Sequence, residues 1–221
     1  MAHIFFHDFL SKILKTAING MKKVDEKLGD WDLVTEYDRK IEDVIIGIFD
    51  VRFIGEESTG KELPELTDDP TWIIDPIDGT TNFVHGFPHT CVVIGLAIKK
   101  EMVIGIVYNP VLEQLFTARK GRGAFLNEKP IKVSTVQGKS NVKYEWLITS
   151  RDLLDINHNI RTLGVAALSL CYVAMGIVEA YYIEGPGIST WDIAAASLII
   201  SEAGGVVVDR VTGKYTLTQE S

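Results

Sequence analysis

The chain has 221 residues, enough for one large domain or two modest ones, and its 46% hydrophobic and 24% charged content is that of a water-soluble globular protein. A formal charge of −8 disfavours nucleic acid and anionic membrane as partners, and it repels an anionic substrate unless bound cations reverse the field locally. The longest uncharged run, Leu163 to Val178, falls short of the roughly 20 residues that span a bilayer. Asp8, Lys12 and Lys15 interrupt any apolar leader, so no signal peptide and no membrane partner are expected, and the location expected is cytoplasmic. Cys91 and Cys171 each sit in an apolar run and read as buried free thiols of a reducing compartment.

Residues from about His3 to Met21 carry helical spacing through Phe6, Leu10, Ile13, Leu14 and Ala17, with Gly20 as a stop. Met21 to Trp31 is charged and reads as a loop. In Leu33-Val-Thr-Glu-Tyr-Asp38, Thr35 can cap a helix with Asp38 at its third position. That helix is expected to run to about Phe49 and to bury Ile41, Val44, Ile45 and Ile48, and capping is the simplest role for Asp38. Val51 to Ile54 predicts a short strand ending in Gly55-Glu56-Glu57-Ser58. Paired glutamates after a glycine are usually a solvated turn, but this pair follows a buried strand and is also placed to ligate a cation. Thr59 to Pro70 reads as a surface loop.

The centre of the chain is Trp72-Ile-Ile-Asp-Pro-Ile-Asp-Gly-Thr-Thr-Asn-Phe83. Trp72 to Ile74 predicts the end of a buried strand. Asp75 and Asp78 follow it, and Pro76 between them excludes a helix at Asp75. Gly79-Thr80-Thr81 then opens a helical turn. Carboxylates bind hard cations and helix-start N–H groups bind phosphate, so the stretch predicts a metal-and-phosphate site.

Beyond it, Thr90–Ile98, Met102–Tyr108, Gln114–Thr117, Gly123–Leu126 and Ile131–Val133 predict an antiparallel meander, with a turn at Asn127 to Pro130. His85 and His89 are four apart, but Gly86 and Pro88 between them argue for a loop and against a zinc pair. Trp146–Thr149 predicts a strand, Leu163–Met175 a buried helix and Val178–Ile183 a strand. Trp191-Asp192 opens an apolar helix closed by Gly204-Gly205, so Asp192 caps a helix start or ligates there. Val206–Val208 predicts a last strand before a polar tail.

Gly55-Glu-Glu-Ser58, the Trp72–Phe83 stretch, and Trp191-Asp-Ile-Ala-Ala195 followed by Glu202-Ala-Gly-Gly205 resemble three signatures of the inositol monophosphatase family. Leu33–Asp38 resembles the family's helix before the site, and Phe116–Phe125 its meander. The resemblance covers most of residues 33–135 and 160–210. Related lithium-sensitive phosphatases share the D-P-x-D core but differ after it, so Thr80-Thr-Asn-Phe83 favours the monophosphatase branch.

The resemblance implies a layered α/β/α/β/α sandwich of α+β type, with an N-terminal half at 1–135, an α/β half at 136–221 and the site between them. It implies a homodimer that hydrolyses inositol monophosphate, or another sugar or polyol phosphate. Glu56, Asp75, Asp78, Asp192 and the carbonyl of Ile77 would hold two or three Mg²⁺ ions. Thr80, hydrogen-bonded to Asp38, would orient or deprotonate water with Glu56, and the N–H groups of Gly79 and Thr80 would hold phosphate oxygens. The polyol would meet Gly164, Val165, Ala166, Glu184 and Asp192. Three departures stand out. Val165 replaces a hydroxyl residue of the family. Few residues also lie between Ser150 and Ile160, where the family has a helix and the start of a strand, and the family continues past Ser221. A shortened form with little turnover is therefore a rival reading.

Overall fold

The computed structural model describes residues 24–29, 32–35, 38–40, 42–43, 52–59, 65–135, 145–148, 159–183 and 188–208. The helix expected over His3–Met21, most of the helix expected after Asp38, and the polar tail lie outside them. Strand β1 (Val24–Gly29) pairs antiparallel with β2 (Asp32–Thr35). Both departures from expectation are local: the charged stretch read as a loop forms β1, and Leu33–Thr35 is strand, with helical residues at 38–40 and 42–43. The charged run Asp25-Glu26-Lys27 hides a strand, because a two-stranded ribbon can pair through its backbone without an apolar pattern.

The main sheet has seven strands. β3 (Phe53–Gly55) leads into a single helical turn, α1 (Glu56–Thr59), where the sequence predicted a turn. β3 lies parallel to β4 (Thr71–Asp78). After the short helix α2 (Thr80–Val84), the strands β5 (Cys91–Ile98), β6 (Glu101–Asn109), β7 (Gln114–Arg119), β8 (Ala124–Leu126) and β9 (Lys129–Ile131) follow in antiparallel order. Two-residue turns at Lys99-Lys100 and Asn127-Glu128 have positive φ at both positions, the hairpin geometry whose twist matches that of the strands. The last hairpin falls two residues earlier than the Ile131–Val133 strand predicted. A second sheet is parallel: β10 (Glu145–Ile148) lies between β11 (Asn159–Arg161) and β12 (Ala180–Tyr182). Helix α3 (Ala166–Ala174) connects β11 to β12, and α4 (Thr190–Glu202) follows. Val206–Val208, expected as a strand, is irregular, with Val206 81% exposed.

The main sheet is buried on both faces, as a sandwich of this type requires. Ile73, Val93, Val107 and Phe116 join one core with Leu168, Ala194 and Ile199 of α3 and α4. Their strand neighbours Ile74, Ile94 and Tyr108 are buried on the opposite face. Glycine decides where α4 lies. Gly95 and Gly105 are cross-strand partners, and a Cβ on Gly105 would come within 2.4 Å of the Ala195 carbonyl oxygen. The helix backbone thus rests on a notch in β5 and β6, and this fixes where its N-terminus, with Asp192, emerges.

Candidate metal and phosphate site

β4 does not stop at Ile74. It runs through Pro76 to Asp78, because the strand bulges: Asp75 faces Val93 and Asp78 faces Cys91, so three steps on β4 match two on β5. The extra residue accommodates proline, which has no N–H for a ladder, and β3 no longer flanks β4 there, ending its pairing at Ile74. It also changes phase. Residues three apart in a regular strand face opposite sides, but the added residue returns Asp75 and Asp78 to one side. Asp75 shares the phase of Ile73, which faces α3 and α4. The spacing of the two aspartates is therefore explained by one bulge.

Asp78 is buried, and it caps α3 from 88 residues away. The N–H of Ala167 donates to its Oδ2 at 2.6 Å and that of Ala166 to its Oδ1 at 3.3 Å. Val165, at the cap position of α3, has no side-chain acceptor of its own, so Asp78 supplies one. The Cys91 thiol lies 3.8 Å from Oδ2. Burial and the charge of Asp192 push the Asp78 carboxyl up to about 8, against the pull of the two helix N–H groups.

Asp75 is 1% exposed, and its Oδ1 has no hydrogen-bond partner. Burial first, then the charges of Glu56, Asp78 and Asp192, raise its carboxyl well above the ordinary aspartate range. Glu56, the first residue of α1, meets Asp75 side chain to side chain. Asp192 lies in the first turn of α4, where Oδ2 accepts from the Ser189 N–H at 2.7 Å. Asp192 thus caps the helix start, as one of its two readings expected, and its charge also acts on Asp75 and Asp78. Neither Asp75 nor Asp78 has an ion-pair partner among the described residues.

The turn after β4 is built for close approach. Gly79 has φ +87°, and a side chain there would press on the His89 carbonyl oxygen at 3.1 Å and on Val165 at 3.4 Å. The Asn82 amide donates to the carbonyls of His89 and Leu163, both at 2.7 Å. These bonds tie α2 to the segment carrying Gly164, itself at φ +68°.

Sequence and fold comparisons agree on the family. The sequence matches the inositol monophosphatase family over residues 8–221. An inositol monophosphatase of Dictyostelium discoideum is 45% identical, over 91% of this chain and 80% of that protein. This chain belongs to the inositol monophosphatase family. Among solved structures, the extragenic suppressor protein suhB of Bartonella henselae is 32% identical with a TM-score of 0.81, covering 93% of this chain and 84% of that one. The fold is shared by an IMPase/NADP phosphatase complexed with Mg²⁺ and phosphate, 22% identical with a TM-score of 0.80, over 96% of this chain and 87% of that one.

Within this family member, the structure gathers Glu56, Asp75, Asp78 and Asp192 at the end of β4. Among the described residues they do not close into a ready-made cage of three metal ligands. They do fit a hard divalent cation. The donors are oxygen, one buried oxygen has no partner, and among the described residues no basic side chain pairs with Asp75 or Asp78 to oppose the cluster's repulsion. The Thr80 hydroxyl donates to the Ile77 carbonyl oxygen at 3.2 Å, within the first turn of α2. Asp38 is buried, Val165 and Ala166 are buried at the start of α3, and Glu184 lies outside the described residues.

Sequence reasoning missed three contributors. Asn82 was part of the central stretch but carried no assigned role. The Ala167 N–H could have been suspected from a helix start lacking a capping residue. Glu42, 2% exposed, accepts from the N–H groups of Glu57 at 2.8 Å and Ser58 at 2.9 Å. Its signal was a carboxylate four residues from Asp38 within an apolar helical pattern. Both histidines stay away from the carboxylates in the loop expected, His89 stacked on Phe87 and His85 exposed. Both cysteines are buried and free. Among the described residues no helix is long and apolar enough to cross a membrane.

Proposed function

We propose that this chain hydrolyses inositol monophosphate to inositol and phosphate at the carboxylate cluster, by direct attack of water and without a phospho-enzyme. The observation that carries this is the unpartnered buried Oδ1 of Asp75 among three further carboxylates. In this reading Glu56, Asp75, Asp78, Asp192 and the Ile77 carbonyl hold two or three Mg²⁺ ions. When bound, Mg²⁺ neutralises the charge of the phosphate and makes water more acidic.

The protein's own groups do the rest. The N–H groups of Gly79 and Thr80, at the start of α2, hold phosphate oxygens. The Thr80 hydroxyl leaves the Ile77 carbonyl and orients the attacking water, whose proton passes toward Glu56 and Asp38. Water oxygen bonds to phosphorus, the bond to the inositol oxygen breaks, and that oxygen takes a proton as it leaves. Gly164, Val165, Ala166, Glu184 and Asp192 surround the polyol. The reading also includes two halves, 1–135 and 136–221, with the site between them, a homodimer, and a cytoplasmic location.

A second substrate reading has its own observation. The Val165 side chain, where the family carries a hydroxyl, is 3% exposed and has no polar group for an inositol hydroxyl. That residue favours inositol over no other sugar or polyol phosphate. Turnover of inositol 1-phosphate should be compared with glucose, fructose and glycerol phosphates. Preference for the inositol ester supports the first reading, and equal or better use of another ester replaces it.

A further inference from the structure

We propose that Glu42 is a positioning residue that sets Glu56 for cation binding, an inference that rests on the metal-site reading above. Glu42 and Asp38 are four apart in a helical stretch, and both are buried, so one helix face directs two carboxylates inward. A buried carboxylate is costly unless its oxygens are used. Both Glu42 oxygens are used on a single target: Oε2 accepts from the N–H of Glu57 at 2.8 Å and Oε1 from that of Ser58 at 2.9 Å. These are first-turn N–H groups of α1, which the one-turn helix cannot satisfy itself. Glu42 therefore clamps the backbone on the C-terminal side of Glu56.

The same carboxylate also packs on the N-terminal side. A Cβ on Gly55 would lie 2.6 Å from the Glu42 carboxyl carbon and 2.6 Å from Oε1, so any side chain there would displace the Glu42 carboxylate. Arg39, from the same helical stretch, lies with Nε 3.9 Å from Oε2 of Glu57 and draws that side chain toward itself. Of the paired glutamates, Glu56 is left to meet Asp75. The chain of effect runs from Glu42 through the α1 backbone to Glu56 and then to the cation. Groups of this kind, one step removed from the ligands, typically change metal affinity by 10–100-fold.

The test is calorimetric titration of Mn²⁺ into the full-length, chelator-treated protein, with thermal melts alongside. Glu42→Ala is expected to weaken Mn²⁺ binding about tenfold. Gly55→Ala should weaken it comparably, by forcing the Glu42 carboxylate away. The double variant should bind no more weakly than Glu42→Ala alone, because the collision partner is gone. Glu42→Gln, which keeps one acceptor, should fall between wild type and Glu42→Ala. Where Glu42→Ala does not fold, Glu42→Gln and Gly55→Ala decide. Wild-type Mn²⁺ affinity in folded variants, even with a lowered melting temperature, overturns the proposal, as do losses that multiply in the double variant. A wild-type chain that binds no Mn²⁺ overturns the metal-site reading, and this proposal with it, before any substitution is made.

Discussion

The two ends of α4 carry the same kind of group in opposite states. At the C-terminal end, Glu202 accepts from the Gly121 N–H at 2.7 Å and the Gly123 N–H at 2.8 Å, in the β7–β8 turn. Burial alone would raise its carboxyl, but these bonds and that of Arg122 outweigh it, and the group lies below the usual glutamate range. At the N-terminal end, Asp192 adds its charge to those of Glu56, Asp75 and Asp78, and Asp75 and Asp78 are raised. At Glu202 the backbone N–H groups outweigh burial, and the carboxylate holds a turn. At Asp78 burial and like charge outweigh the N–H groups of Ala166 and Ala167. The contrast separates a structural acid from acids kept for a cation, and it costs the fold stability at the working end.

The largest expected effect comes from emptying that end of charge. Asp75→Asn should lower Mg²⁺-dependent turnover about 10³-fold, the equivalent of roughly 4 kcal/mol of transition-state stabilisation. Without metal, the same variant should melt at or above the wild-type temperature at pH 8. The sign follows from the raised carboxyl: its folded-state stability is full below the ordinary aspartate range and is lost as pH rises toward the folded value, about 8 for Asp78. Melting of the metal-free wild type should therefore fall between pH 5 and pH 8, and Asp75→Asn should flatten that slope. Asp78→Asn sharpens the comparison. It too should lose activity, but it removes an acceptor from the start of α3 and should cost about 1–2 kcal/mol by denaturant unfolding.

Gly105→Ala tests what places α4. Its Cβ would collide with the Ala195 backbone, so a loss of about 1–3 kcal/mol is expected, with turnover falling further than in a surface variant of equal stability. The smallest effect belongs to the structural end. Glu202→Gln should cost about 1–2 kcal/mol at pH 7 and leave turnover per folded molecule unchanged. Because the folded Glu202 carboxyl is lowered, its contribution is present above the ordinary glutamate range and is lost as pH falls through the folded value. Both variants should therefore meet wild type in acid, but as pH rises Glu202→Gln should fall below it and Asp75→Asn rise above it. Parallel pH profiles for the two variants would dissolve the distinction between the ends.

Much of this was legible in residue order. The meander shows as alternation, the two C-terminal helices as long apolar runs, and the site as carboxylates following strands. What stayed hidden depends on contacts between distant segments. Asp78 as a cap on α3 joins residues 88 apart, and no local pattern reports it. The bulge that brings Asp75 and Asp78 to one side is set by the register of β5 and by where β3 ends. β1 was misread because charged residues can form a ribbon whose pairing is backbone alone. The strand expected at Val206–Val208 shows the reverse error: β-branched residues favour a strand only where a neighbour offers an edge. Glu42 was obscured because an acid next to Asp43 in an apolar helical pattern reads as a surface position.

The most direct measurement is phosphate release from inositol 1-phosphate by the purified chain, with and without Mg²⁺, beside Asp75→Asn. Turnover that requires Mg²⁺ and is lost in the folded variant is the predicted result. Turnover that is independent of Mg²⁺ or survives Asp75→Asn, or its absence from a wild-type chain that melts cooperatively, would contradict the assignment of hydrolysis to this carboxylate cluster.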